Sequence, residues 1–456
     1  MPLGLYLSVP FCKTKCSYCN FASDVFSKTA YENYVLRLLE DIAGAHTLAE
    51  HLGCEFGTFP EDAVDSIYLG GGTPSLLEGS QLQRIFTALR AQFSLTHDAE
   101  ITVECAPGTL TAVLIETLLQ CGVNRVSLGV QSFVDQEAQS VGRLHQRSTV
   151  LEEIGRLRAG GLANINIDLI AGLPHQTAES WAFSVSETIA TGVPHVSVYM
   201  LEVDEDSRLG REVIAGGTRY HAHFVPDDDA TADYYLQAGE MLEANGMAQY
   251  EISNFAAVAA RFPHAQSRHN LKYWTRQPYL GFGVDAHSML PVSYGHLGFA
   301  KDAITALRFA RPDSLEAYMN RVPHEVTPIS VKAALEESFF LGLRLNRGVD
   351  LQRIQREFDR WQGNDRPGKD DLQTNRKERD FHRATDSKIN PAFSLKGSTW
   401  EAAIKQCQQD ELMEQAGTTL RLTARGRLLS NEVFARFLAE RKEKAETGRA
   451  QTRSLL

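Results

Sequence analysis

No stretch of the 456-residue chain carries the roughly 20 successive apolar residues that a membrane-crossing helix needs, so no integral membrane segment is expected. Positive charge is also short: 46 Lys and Arg stand against 57 Asp and Glu, a net charge of -11. Non-specific nucleic-acid affinity comes from Lys and Arg neutralising phosphates, and this balance argues against a nucleic-acid partner. The opening "MPLGLYLSVPF" lacks the basic start and small-residue cleavage site of a secretory leader, which points to the cytoplasm. Cysteines are few and odd in number, seven in all, which excludes a disulfide framework. Four of them, Cys54, Cys105, Cys121 and Cys407, are scattered and read as small buried apolar residues. Core material is plentiful: 43% of residues are hydrophobic and 23% charged, the balance of a globular protein of two or three domains.

Six β-branched runs, starting at Gly4, Asp65, Glu100, Arg125, Asn164 and His195, each precede helix-patterned sequence. The helical segments include "YENYVLRLLEDIAGAHTLAEHL", "SQLQRIFTALRAQF", "LTAVLIETLLQCG", "TVLEEIGRLRAGG" and "AESWAFSVSETIATG". Gly122 and Gly160 are expected just past helix ends, and Thr149 with Glu152 fits a capping box. Near-continuous apolar strands alternating with helices predict an α/β fold, a parallel sheet covered by helices, either doubly wound or a partial barrel. The cysteine cluster follows strand one and "GGGTPS" follows strand two. Glu104 ends strand three, Gln131 ends strand four and Asp168 lies in strand five. Sites assembled from many strand ends belong to barrels, whereas an open sheet gathers its ligand at one switch point. A partial (β/α)6 barrel is therefore expected over residues 1–205.

Residues 206–327 read as an extension of the barrel, with one long helix leading into a strand and then the stretch "SRHNLKYWTRQPYLGFGVDAHSM". Residues 328–440 predict a mostly helical, winged-helix-like domain, with helix, hairpin and helix in "ELMEQAGTTLRLTARGRLLSNEVFARFLAE". A polar insertion at about 362–390 and a charged tail at 441–456 interrupt and follow it.

Cys12, Cys16 and Cys19 offer three thiolates, and soft sulfur donors select zinc or iron–sulfur clusters. Structural zinc takes four protein ligands, so three favour a cluster with one open iron; a zinc knuckle completed by a distant His or Cys stays as the alternative. The Cys-x3-Cys-x2-Cys spacing, with Tyr18 before the last Cys and "GGGTP" after the second strand, resembles the radical S-adenosylmethionine superfamily. That resemblance implies a 4Fe-4S cluster on the three cysteines, with the methionine amine and carboxylate on the fourth iron. Reductive cleavage of the sulfonium, fed by an electron donor such as a flavodoxin or ferredoxin, would yield a 5'-deoxyadenosyl radical. The glycines of "LGGGTPS" let backbone amides approach a ligand, or simply make a tight turn; by resemblance they bind the methionine amine.

Further stretches, "ITVECAPGT", "RVSLGVQSF", "GRLHQ" and "INIDLIAGLPHQT", resemble the oxygen-independent coproporphyrinogen III oxidase branch. The likeness implies that Tyr6, Tyr18, Gly71, Gly72, Thr73 and Glu104 line the nucleotide site. It places Gln131, Arg143 and Asp168 where the oxidases hold further S-adenosylmethionine. The oxidases have a fourth cysteine where this chain has Phe21, and an extension before the first strand where this chain has five residues before Tyr6. "CSYCNF", "QYEISNFA", "RHNLKYW" and "YLGFGVDAHS" resemble instead the HemW group, heme-binding chaperones that hand heme to an acceptor protein. Heme wants an axial ligand, most often His, and an apolar aromatic slot. "HNLKYW" brings His269, Tyr273 and Trp274 together, with His287 following, and His269 is the candidate ligand. Three readings are open at this point: a heme carrier, an oxidative decarboxylase of porphyrin biosynthesis, and an iron–sulfur or zinc scaffold with a structural role alone.

Overall fold

A computed structural model of the protein describes residues 1–54, 63–258, 260–292, 304–361 and 399–438. Six strands form where the runs predict them: β1 Leu3–Val9, β2 Val64–Gly71, β3 Leu95–Cys105, β4 Arg125–Gln131, β5 Ile165–Ala171 and β6 His195–Met200. They lie side by side in chain order, all parallel. The order never reverses, so the doubly wound alternative, which needs a switch point, is excluded. The sheet curls. Ser17, after β1, donates its N–H to Val141 O after β4 at 3.1 Å and accepts from Leu209 N after β6 at 2.8 Å. A flat sheet would hold those strand ends about 14 and 24 Å apart.

Residues 206–327 extend both edges of this sheet. On one side β7 Met247–Glu251 and β8 Asn254–Ala257 form a hairpin, β8 running antiparallel to β6. On the other, β9 Tyr279–Gly283 runs parallel to β1, followed by β10 His287–Pro291, β11 Ile304–Ala310 and β12 Glu325–Ser330. The long helix expected there is Asp228–Ala244, and the single strand expected after it is this hairpin, turned at Ser253 with φ +80°.

The strands are not continuously apolar. Leu3, Leu5, Leu7, Ile67, Leu69, Ile101, Val103, Val126, Leu128, Ile165, Ile167, Leu169, Val196 and Val198 are buried. The positions between them, Tyr6, Ser8, Ser66, Tyr68, Glu104, Ser127, Asn166, Asp168 and Ser197, are polar. Because successive strand residues face opposite ways, one face packs under helices and the other forms a polar lumen.

Two local expectations are corrected. The first long helical segment breaks at Gly44 into helices Lys28–Ala43 and Ala45–His51. The helix assigned a Thr149 cap starts three residues earlier, capped at Gln146 with Arg147 as its first residue, because Asp135 Oδ1 accepts the Arg147 N–H at 2.7 Å from outside the helix. At its far end Gly160 follows Ala159 directly, as Gly122 follows the helix Ala112–Gln120 and its cap Cys121, so both glycines lie just past helix ends as expected; the left-handed turns are at Gly161, φ +96°, and Gly122, φ +80°.

The chain divides into two compact units, the second running from Ser330 onward. That unit has helices Val331–Phe340, Leu351–Trp361, Thr399–Gln409, Ala424–Leu428 and Ser430–Phe437. The hairpin β14 Met413–Ala416 and β15 Thr419–Leu422 gains a third strand, β13 Val349–Asp350. Phe339 stacks on Phe437 at 5.4 Å to close its core. The polar insertion and the charged tail lie outside the described residues. Among the described residues no helix is long and apolar enough to cross a membrane.

Candidate functional site at the barrel mouth

The loop after β1 is built to hold its shape. Cys12 N bonds to Asp24 O at 2.9 Å and Asp24 N to Pro10 O at 2.9 Å, closing the base of the loop, while the buried Phe11 stacks on Tyr31 at 3.8 Å. Inside it, Lys15 Nζ donates to Phe21 O at 2.5 Å and Ser23 O at 2.7 Å. Outside, Thr14 Oγ1 donates to Gly142 O at 2.8 Å and the Arg208 guanidinium to Lys15 O. Cys12 and Cys19 are half-buried and Cys16 is buried, and all three are free thiols. Burial raises the Cys19 pKa, and the neighbouring Cys16 and Cys12 raise it further. Among the described residues no group of three or more His, Cys, Asp or Glu side chains already stands around a common metal position.

The glycine turn after β2 works differently from a cradle of free amides. Gly72 N donates to Val9 O and Thr73 N to Phe11 O, both at 2.7 Å, and Gly71 N serves the Glu104 carboxylate. A Cβ on Gly72 would stand 2.7 Å from both Val9 O and Phe11 O. The glycine is needed there because the turn packs directly on the cysteine loop.

Glu104 accepts from Tyr68 Oη at 2.8 Å. Burial first, and then the charge of Asp168, push its pKa up to about 7. Tyr6, Tyr68 and His269 form a cluster of three rings, 6.2 Å from Tyr6 to Tyr68, 6.3 Å from Tyr6 to His269 and 5.4 Å from Tyr68 to His269. Tyr18 packs on the apolar cluster of Val141, Ile170, Leu173, Leu209 and Ala222, and lies beside the Arg143 guanidinium. Arg143 Nη2 and Gln131 Nε2 both approach the Gly129 backbone, where a Cβ would meet them at 2.8 and 3.1 Å. Gln131, at φ +70°, is buried, and among the described residues its Oε1 and the Arg143 Nε have no hydrogen-bond partner. Asp168 is held by Ser127 Oγ at 3.1 Å and Asn166 Nδ2 at 2.8 Å, and burial raises its pKa.

Cys12, Cys16, Cys19, Tyr18, Gly71, Gly72, Thr73, Glu104, Gln131 and Arg143 thus gather at one mouth, with Tyr6 and Asp168 just below. His269 does not join them. Its Nδ1 bonds Ser66 Oγ at 3.0 Å, its Nε2 bonds Tyr273 Oη at 2.9 Å, and its backbone N–H donates to Glu100 Oε1 at 3.1 Å. Burial, then the Lys272 charge, lower its pKa to about 3, so the ring is neutral. His287 sits half-exposed, 3.8 Å from Asp285.

Sequence reasoning missed the lumen network joining Asp168 through Asn166 to His195, and His195 Nε2 to Tyr250 Oη at 2.9 Å. The signal was present: Asn166 and Asp168 alternate with isoleucines in "NINIDLI". The unpartnered Gln131 Oε1 and Arg143 Nε, beside a loop that carries three free thiols, fit a ligand that brings an amino or hydroxyl group and a carboxylate to the mouth.

Residues 6–185 match the model of the radical SAM superfamily. The heme chaperone HemW of Lactococcus lactis is 33% identical over 78% of this chain and 85% of its own length. That of Bacillus subtilis is 30% identical over 95% of this chain and 99% of its own. The coproporphyrinogen III oxidase structure from Escherichia coli superposes with a TM-score of 0.70 at 22% identity, covering 96% of this chain and 90% of that one. That last likeness carries the fold alone. The superfamily domain implies a 4Fe-4S cluster and S-adenosylmethionine, and the donor set at the mouth fits both. By its length and depth of similarity, the chain belongs to the HemW group of the radical SAM superfamily.

Proposed function

We propose that this protein binds heme and passes it to an acceptor protein in the cytoplasm, from a barrel that carries a 4Fe-4S cluster and S-adenosylmethionine at its mouth. The observation that carries the reading is similarity to a heme chaperone over 99% of that relative's length, joined to a mouth with unsatisfied donors and acceptors. When bound, the cluster supplies an iron open to chelation and one electron, replenished by a flavodoxin or ferredoxin.

The chain's own groups have separate tasks. Cys12, Cys16 and Cys19 ligate, and Lys15, from within the loop, holds Phe21 O and Ser23 O so that the thiols stay gathered. Carbonyls of the Gly71–Thr73 turn accept from the methionine ammonium. Arg143, always cationic and with Nε unpaired, suits a carboxylate. Gln131 Oε1, Glu104 and Asp168 accept from hydroxyl or amino groups, while Tyr6 and Tyr18 supply flat apolar walls.

Anaerobic reconstitution with iron and sulfide, followed by parallel assays for hemin binding and coproporphyrinogen III turnover, tests the reading. The expected result is stoichiometric hemin binding without decarboxylation. Turnover to protoporphyrinogen with no hemin binding would replace it with the oxidase reading.

A further inference from the structure

His269 meets iron only by giving up a hydrogen bond to Ser66 or Tyr273, both inside the barrel wall. A second histidine group sits at the rim. His175, in the loop after β5, places its Nε2 3.1 Å from Nδ1 of His221, in the turn Arg219–Phe224. We propose that this pair is the iron-porphyrin ligand site of the protein, His221 presenting Nε2 to the iron and His175 orienting it. The inference rests on the heme-carrier reading and deepens it.

The hydrogen bond between two neutral imidazoles decides the chemistry. One ring must donate N–H and the other accept. If His221 Nδ1 donates, its Nε2 keeps a free lone pair, and His221 is the exposed ring of the two. A ligating His whose other nitrogen is fixed by a hydrogen bond is the arrangement that metal sites use to set tautomer and orientation. Burial and the neighbouring His221 and His223 lower the His175 pKa, which favours the neutral ring.

The backbone is unusual in the same place. His175, Tyr220 and His221 all take left-handed φ values, +69°, +54° and +60°. Such conformations cost non-glycine residues about 1 kcal/mol or more each and persist where neighbours over-determine them. Here His175 N donates to Phe224 O at 3.0 Å, tying the two loops together.

The surroundings suit a porphyrin better than a bare ion. Three imidazoles are near, but among the described residues no three His, Cys, Asp or Glu side chains converge on one metal position, as a zinc site needs, whereas a porphyrin brings four nitrogens and asks the protein for one or two. Phe224 lies 4.1 Å from the His175 ring and 4.0 Å from His223, and is 47% exposed, leaving an apolar face for the macrocycle. Arg208 and Arg219 each stand 5.4 Å from the Tyr220 ring, two cations in reach of the propionate carboxylates. Arg208 also bonds the cysteine loop at Lys15 O, so a porphyrin here sits beside the cluster. An exposed ligand suits a carrier, which must release its cargo.

The test is titration of the full-length reconstituted protein with hemin and, separately, with metal-free protoporphyrin IX. The expected result is nitrogen-ligated ferric heme by Soret and electron paramagnetic resonance spectra. His221→Ala should lose that signature and bind hemin at least 10-fold more weakly, with metal-free protoporphyrin unaffected. His175→Ala should weaken hemin a few-fold, and His221→Met should shift the Soret band to that of thioether ligation. Wild-type spectra and affinity in both alanine variants would overturn the ligand assignment while leaving the carrier reading intact. Equal losses for hemin and the metal-free porphyrin in His221→Ala would also overturn it. A wild type that binds hemin no better than the metal-free porphyrin would overturn both readings.

Discussion

The mouth and the floor of the barrel use the same kinds of side chain to opposite ends. At the floor, Lys272 Nζ is shared among Asp65 Oδ1 at 2.6 Å, Pro2 O at 2.9 Å and Gln277 Oε1 at 3.3 Å. Glu100 receives the backbone N–H groups of Arg268 and His269 on its two oxygens. At the mouth, Gln131 Oε1 and Arg143 Nε are buried with no partner among the described residues. A buried polar group left unpaired costs about 1–3 kcal/mol; unpartnered atoms such as Thr102 Oγ1 and Arg125 Nε also occur deeper in the barrel, and what sets the mouth pair apart is that Arg143 stands beside Cys16 and Cys19. The aromatic- and histidine-rich "HNLKYW" drew attention in the sequence, yet its His269 and Lys272 are saturated and hold the wall together.

The sharpest way to break this contrast is at the cysteines. Replacing any one of Cys12, Cys16 or Cys19 by Ala should abolish the cluster, read as iron and sulfide content after anaerobic reconstitution. Alanine at Cys54, Cys105, Cys121 or Cys407 should leave it intact, and an intact cluster in the triple variant would sink the assignment.

At the floor the expected effect is on stability. Lys272→Met removes one partner of a buried pair, the lysine side chain being 1% exposed, and should cost about 3 kcal/mol in urea unfolding. S-adenosylmethionine affinity should not change. A variant of wild-type stability with lost nucleotide binding would invert the distinction.

Glu104 gives a pH signature. Its pKa of about 7 in the fold lies above the ordinary 4.5, so the folded state favours the protonated form. That contribution is complete below about pH 4.5 and is lost as pH rises through about 7. Glu104→Gln should flatten this slope and gain about 2 kcal/mol over wild type at pH 8, less than the full shift because the carboxyl is partly open to solvent. Unfolding curves of the two proteins at pH 5 and pH 8 check it; parallel slopes would contradict it.

The smallest effect is expected at Gln131. Gln131→Leu removes an unpaired acceptor, so stability should stay within about 0.5 kcal/mol while S-adenosylmethionine binds about 10-fold more weakly. Calorimetry of the anaerobic protein measures both.

The six strands, the cysteine loop and the glycine turn were legible because their signals are local: β-branched runs, thiol spacing, successive glycines. The polar lumen was written in the alternation of Ser127, Gly129 and Gln131, and of Asn166 and Asp168, but reading the strands as apolar hid it. Other features depend on distant chain. The helix at Arg147 starts early because Asp135 reaches it from 12 residues away. His175 and His221 are 46 residues apart and meet only when the turn Arg219–Phe224 folds over the β5 loop. β13 joins the C-terminal hairpin through the register of Val349 with Leu420, which no window of sequence displays.

The central claim is that the mouth is open for ligands at a three-thiol cluster, and Mössbauer spectroscopy of the anaerobically reconstituted protein, with and without S-adenosylmethionine, tests it most directly. The account predicts a four-iron cluster in which one iron changes its signal when S-adenosylmethionine is added. A cluster whose four irons are indifferent to that addition, or a site filled wholly by side chains, would contradict it.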